Sequence, residues 1–271
     1  MNRSPLAAGL ALALLSLSLA AADAAHAQKR DDAATLDAVV VTATRSTIPI
    51  ATDLASTTVL DRTDIERAQA PDLIDLLARQ AGVDVSRTGG PGALSTLFLR
   101  GGNSNHTLVL IDGVRVNSVQ QGQYDFGQLP LDRIERIEIV RGPRAALWGS
   151  DAIGGVIQIF TRDPGQPGAQ LRAGRADRLD IAAQWGAAGD RGSLGIGGGR
   201  QRLGGDNASR PGSFGFDPDR DGFTNRHLSA SGRTSIGTHA LGATVLATRG
   251  DIAFDRGVTR ARSTSGGATL A

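Results

Sequence analysis

The sequence contains no cysteine, one methionine and one tyrosine, and Lys29 is its only lysine. Without cysteine there is no disulfide framework, whichever compartment the chain enters. Aromatic residues make up 4% of the chain and the formal charge is only +2. No basic cluster is interleaved with stacking rings, so nucleic acid is not an expected partner. Histidine is scarce as well. His26, His106, His227 and His239 are scattered, and no serine or cysteine motif accompanies them. The glycine-rich run Gly195–Gly199 is not followed by Gly-Lys-Ser/Thr. Neither a nucleophilic triad nor a phosphate loop is present, and an enzyme is not expected. Beyond the N-terminal segment no apolar run is long enough for a transmembrane helix. Any membrane crossing must therefore be made by strands.

Glycine is abundant, with 36 residues in 271, and hydrophobic residues reach 40%. That combination favours turn-rich β structure over a helical bundle. At the N-terminus, Asn2-Arg3 precedes the apolar run Leu6–Ala20, and Ala25-His26-Ala27 fits a small-x-small cleavage site. Residues 1–27 read as a signal peptide, the alternative being an uncleaved anchor helix. The polar stretch 28–36 reads as a linker. Asp37–Ala43 (DAVVVTA) is β-branched and extended. It is either the first strand of the domain or a segment free to join another protein's sheet edge.

From Ser56 the pattern alternates between strands and helices. Thr57–Leu60 reads as a strand, and the Thr63-Asp64-Ile65-Glu66 spacing predicts a capping box opening a helix. Pro71 is expected to start a second helix, with Leu73, Leu76 and Leu77 on one stripe and Gly82 after its end. Val83–Val85, Leu97–Leu99 and Leu108–Ile111 read as strands, the last turned by Asp112-Gly113. The segments Arg87–Ser95 and Asn117–Gln128 read as exposed recognition loops. In Arg136–Arg162, a strand with one apolar and one mixed face is broken by Gly142-Pro143. Pro143 suits the first position of a helical turn, and Val156–Phe160 forms a second strand.

After Pro164-Gly165 the texture changes. Leu179, Ile181, Ala183, Trp185 and Ala187 are spaced by two, as are Leu241, Ala243, Val245 and Ala247. This fits an outer-membrane barrel wall and equally a soluble antiparallel sheet. The loop Gly204–Gly222 carries Asp206, Asp217, Asp219 and Asp221, the last three as Asp-x-Asp-x-Asp-Gly. Such oxygen donors suit Ca²⁺ or a solvated acidic loop. An EF-hand is not expected, because no helix flanks the loop and the closing position falls on Leu228.

Four segments together resemble the N-terminal part of a TonB-dependent outer-membrane receptor. They are DAVVVTATR, PDLIDLLARQAGVDV, FLRGGNSNHTLVLIDGVRVN and RGPRAALWGSDAIGGVIQI. Within that family GGPGALS and DPDRDGF resemble the cobalamin (vitamin B12) transporter branch. The resemblance implies a signal peptide at 1–27, a linker at 28–46, a plug domain at 47–165 and the start of a β-barrel at 166–271. The implied fold is an α+β plug, a small mixed sheet with short helices, followed by the first antiparallel strands of a transmembrane barrel. In that plug Ile137–Val140 would close the sheet and Val156–Phe160 would lead out to the barrel.

The resemblance also implies how such a receptor works. TonB, driven by its inner-membrane energising complex, would take the box residues Asp37, Ala38, Val39, Val40, Val41, Thr42 and Ala43 by strand addition and pull on the plug. A corrinoid would contact Leu94, Thr96, Asn103, Gln120 and Gln121. The glutamine pair departs from the branch by a one-residue gap and longer side chains, so a siderophore or another nutrient is the alternative. A structural Ca²⁺ would sit on Asp206, Asp217, Asp219, Asp221 and Asp251. Arg100 and Arg141 would face barrel glutamates, and outer-membrane lipid would surround the wall. A full barrel has about 22 strands, whereas the stretch after the plug has room for about five or six. The chain is therefore expected to be a fragment of a receptor or a truncated product, the latter acting as a secreted plug that binds without transporting.

Overall fold

The computed structural model describes residues 39–40, 48–49, 56–162, 165–175, 177–205, 207, 210–212, 218, 220–237, 239–254 and 257–270. The segment expected to be a signal peptide and most of the expected linker lie outside them. Strand β1 (Val39–Val40) pairs antiparallel with β2 (Ile48–Pro49) in a two-residue ribbon.

The plug is built on a five-stranded mixed sheet. Its members are β3 (Ser56–Leu60), β6 (Thr107–Ile111), β7 (Val114–Arg115), β8 (Ile134–Arg141) and β9 (Gly155–Thr161), in the order β3-β8-β9-β6-β7. Only the β6–β9 pair is parallel. The turn from β6 to β7 places Asp112 and Gly113 at φ +48° and +82°, the left-handed pair that a tight hairpin needs. The Asp112 carboxylate then accepts from the Thr161 backbone N–H (2.8 Å) and hydroxyl (2.6 Å), tying that turn to the end of β9. A separate hairpin joins β4 (Val83–Arg87) to β5 (Ser95–Leu99).

Helices α1 (Arg62–Ala68) and α2 (Leu73–Ala78) cover one sheet face. Ile65, Leu73, Ile74, Leu76 and Leu77 pack with Val109, Ile137, Ile139, Ile157 and Ile159 in the main core. The other face is covered around α3 (Ala145–Trp148), where Ala152 and Trp148 meet Leu108, Leu110 and Val156. Burial on both faces explains why β6 and β9 read as continuous apolar runs rather than alternating ones.

Several local expectations shift by one or two residues. The capping box of α1 is Asp61 with Asp64, not Thr63 with Glu66. Asp61 ends β3 in an extended conformation, and its carboxylate accepts from the Asp64 N–H at 2.8 Å. Asp72 rather than Pro71 caps α2, accepting from the Asp75 N–H at 2.9 Å. Pro143 stands before Arg144, the capping residue of α3. Strand β8 does not close the sheet; it lies between β3 and β9. Its Glu138 is fully buried and paired with Arg136 at 3.0 Å.

The wall that follows is a six-stranded antiparallel meander. Its strands are β10 (Gly168–Gly174), β11 (Arg178–Gly189), β12 (Gly192–Leu203), β13 (Phe223–Ile236), β14 (His239–Phe254) and β15 (Gly257–Leu270). Alternation along β13 sets the two faces. Phe223, Asn225, His227, Ser229 and Ser231 are buried, whereas Arg226, Leu228 and Ala230 are exposed. Register carries this across the sheet. Trp185, Ile196, Ala230 and Val245 form one outward row, and Ala187, Leu194, Gly232 and Ala243 the next. No helix among the described residues is long and apolar enough to cross a membrane.

Candidate functional site

Three plug loops come together at the long-loop end of the wall. Asp125 holds two of them, its Oδ1 accepting from the Ser95 N–H (3.0 Å) and the Gly127 N–H (2.9 Å). Gln128 Nε2 donates to the Gly92 carbonyl at 2.8 Å. Asn117 is buried and serves three backbone groups, the Val109 N–H and the Thr107 and Gly122 carbonyls, at 2.7–2.9 Å. Ser104 donates to Gln123 at 2.9 Å, which brings in the Asn103 segment. Burial pushes the Asp125 carboxyl above its usual range, an effect the two backbone N–H groups oppose.

The ligand residues expected from sequence sit on this assembly. Leu94, Asn103, Gln120 and Gln121 are exposed, and Thr96 lies on β5 opposite Ser86. The loops are less uniformly exposed than their composition implies. Asn117, Phe126 and Gln128 are buried and act as the internal frame that presents the others. Val119 stands fully in solvent at the loop tip.

Against the wall, the plug makes a seam of polar contacts that sequence reading did not identify. Arg62 donates to the Leu131 and Ile134 carbonyls and to Gln170 Oε1 on β10 (3.2 Å). Arg133 meets Gln184 on β11 at 2.5 Å. Asp132 meets the buried His227 on β13 at 3.1 Å. Asn225 donates to the Gln128 carbonyl at 3.0 Å, and Arg172 to the Ala70 carbonyl at 3.1 Å. The glycines of β12 make this approach possible, since a Cβ on Gly197 would lie 2.9 Å from the Arg133 guanidinium. Burial pushes the Arg133 pKa down. Nothing in the one-dimensional pattern marks these residues, because each is defined by its partner across the seam.

Arg141 hydrogen-bonds within the plug, to the Ala81 carbonyl and to Thr58 Oγ1, both at 2.7 Å. Its Nη2 is buried without a hydrogen-bond partner among the described residues. Burial and the nearby Arg100 charge both lower its pKa. Arg100 is exposed and left-handed at φ +50°.

Of the calcium set, Asp206, Asp217 and Asp219 lie outside the described residues. Asp221 is buried, and Asp251 lies 3.5 Å from Arg260. No group of three or more histidine, aspartate or glutamate ligands occurs among the described residues. Within the box, Val39 and Val40 form β1; Asp37, Ala38, Val41, Thr42 and Ala43 lie outside the described residues.

Residues 50–156 match the family model of the TonB-dependent Receptor Plug Domain. Solved structures similar to this chain include the siderophore receptor PirA from Acinetobacter baumannii. It is 21% identical, with a TM-score of 0.58 over 73% of this chain and 32% of that one. The ferric enterobactin receptor PfeA from Pseudomonas aeruginosa is 21% identical, with a TM-score of 0.57 over 80% and 35%. The copper transporter OprC is 20% identical, with a TM-score of 0.62 over 79% and 34%. The chain thus spans about a third of the length of these structures. The fold is a plug domain followed by antiparallel strands resembling the start of a TonB-dependent receptor barrel.

Proposed function

We propose that this chain is the plug and opening wall of an outer-membrane transport receptor for a scarce nutrient, energised through TonB. The carrying observation is the two-faced wall. Its small and polar face is pressed on the plug, and its other face is a band of Leu, Ile, Trp, Val, Ala and Gly. A soluble sheet has no use for that outer band, whereas a membrane wall requires it. The box Asp37–Ala43, including β1, would receive TonB by strand addition. Arg141, with its unused Nη2, would meet an acidic group of the wall, as would Arg100.

The ligand surface is the exposed set Leu94, Asn103, Gln120 and Gln121, with the half-buried Thr96 beside it. The sequence motifs GGPGALS and DPDRDGF favour a corrinoid with Ca²⁺ on the Asp206–Asp251 set. The likeness to siderophore and copper receptors favours a metal chelate as the second reading. Titration of the full-length gene product with cobalamin and with a ferric catecholate siderophore, each with and without Ca²⁺, tests both. Saturable cobalamin binding strengthened by Ca²⁺ supports the first reading. Siderophore binding alone replaces it with the second. A secreted plug-only module would bind ligand yet fail to fractionate with outer membranes.

A further inference from the structure

Strand register places three arginines in one row across the outer face of the wall, with Arg262 at the next register position. Arg200 on β12 lies opposite Arg226 on β13, Arg226 opposite Arg249 on β14, and Arg249 opposite Arg262 on β15. Arg200, Arg226 and Arg249 are exposed on the face that also carries Leu194, Ile196, Leu228 and Val245. None of the three side chains has a hydrogen bond or ion pair among the described residues. Among the described residues the one carboxylate nearby on this face, Asp251, already lies against Arg260. Like charges directly opposite each other on neighbouring strands repel, and a wall strand has many neutral alternatives at such positions. A continuous row of this kind calls for a counter-charge from outside the chain.

Position in the wall identifies its source. Moving away from the arginines toward the ends of β11 and β13, every outward row is apolar or small. These are Ala183–Gly198–Leu228–Ala247, then Trp185–Ile196–Ala230–Val245, then Ala187–Leu194–Gly232–Ala243. The eight residue steps from Arg226 to Thr234 span about 27 Å of extended chain, close to the height of a barrel's apolar band. The row therefore stands at the upper rim of that band, on the side of the long Gly204–Gly222 loop. Lipid-facing arginines are tolerated there and not at mid-depth.

We propose that Arg200, Arg226 and Arg249 form a binding ladder for phosphate groups of anionic membrane lipid at the rim of the wall. Adjacent arginines on paired strands are about 5 Å apart at Cα, so two or more guanidiniums can share one phosphate in forked hydrogen bonds. The proposal rests on the outer-membrane reading above.

The test uses the full-length gene product, purified from outer membranes and placed in phosphatidylcholine vesicles with or without bis-phosphorylated lipid A. Retained lipid is counted by native mass spectrometry. The wild type should retain lipid A, and the triple variant Arg200→Gln/Arg226→Gln/Arg249→Gln should bind it about 100-fold more weakly. The corresponding triple Lys variant should keep most of the binding. Arg191→Gln/Arg233→Gln, at the opposite end, should match wild type. Equal retention by the Gln variant, or equal retention of dephosphorylated lipid A, overturns the proposal. Displacement by inorganic phosphate alone overturns it in favour of a free-anion site. Heat-modifiable gel migration of each variant reports barrel insertion separately. A wild type that never inserts sinks the receptor reading, whereas an inserted wild type without lipid A sinks only the ladder.

Discussion

At the scale of single residues, glycines and buried carboxylates set the limits of change. Gly155 opens β9 at φ +151°, and a Cβ there would collide with the Val140 carbonyl and the Leu99 side chain. The first contact is backbone in the adjacent strand and cannot rotate away. Gly155→Ala should destabilise the plug by about 3 kcal/mol, read as a lower urea midpoint in the fluorescence of Trp148, which packs against the cluster beside Gly155. An unchanged midpoint would show that β8 can yield. Asp125 offers a second test, through pH. Its folded pKa is raised by burial, so the folded plug holds the proton more tightly than the unfolded chain. Stability is then fullest below the unfolded value of about 3.9 and is lost as pH rises through the raised folded value. Asp125→Asn keeps an oxygen to accept from Ser95 and Gly127 and removes that loss. The variant should gain on wild type as pH rises from about 4 to about 7. A pH-independent difference would mean that Asp125 titrates normally.

At the scale of elements, the sequence disclosed what local chemistry controls and concealed what pairing controls. The Asp112-Gly113 turn, the α2 stripe and the period-two wall strands were legible because each is written within a few neighbouring residues. The α1 cap moved to Asp61 because an aspartate at a strand end outcompetes a spacing match two residues further on. The α2 cap falls one residue after Pro71 because the Asp72 carboxylate reaches the Asp75 N–H. The interior place of β8 was hidden, since strand order depends on partners 50 or more residues away, such as β3 at Ser56–Leu60. Gln128 and Asn117 read as loop residues, yet their amides are consumed in holding backbone. The ribbon β1–β2 leads to a prediction at this scale. Its two pairs are Val39↔Pro49 and Val40↔Ile48, and Pro49 has no N–H to donate, so the pairing is weak. A partner strand offering a full ladder should displace β2. Val40→Pro removes a donor from the box itself and should lower capture of the TonB periplasmic domain about tenfold, leaving ligand affinity unchanged. Full capture by that variant would move the docking segment elsewhere.

At the scale of the whole molecule, transport and mere binding differ in whether the plug must move against the wall. The seam formed by Arg62, Asp132, Arg133 and Gln128 with β10, β11 and β13 is mainly polar, its apolar contacts being Phe223 against Gly92 and Leu246 in the plug core. Hydrogen bonds of this kind can be exchanged for water one at a time, whereas an apolar interface would separate only with a large loss of burial. That makes the seam a sliding contact suited to a pulled plug. The absence of native cysteine permits a direct test. Asp132→Cys with His227→Cys puts one thiol on the plug and one on β13, at a pair whose native side chains meet at 3.1 Å. A short cleavable bifunctional thiol reagent should then fix the plug to the wall. Ligand binding should stay within about twofold of wild type, because the exposed loop residues do not take part in the link. Uptake by whole cells should fall to background and return when the reagent is cleaved. The single variants treated identically should transport normally, which separates locking from damage at either position. Uptake that continues through the locked seam would mean that the ligand passes without displacement of the plug at β13, and the path would then have to run along another part of the wall.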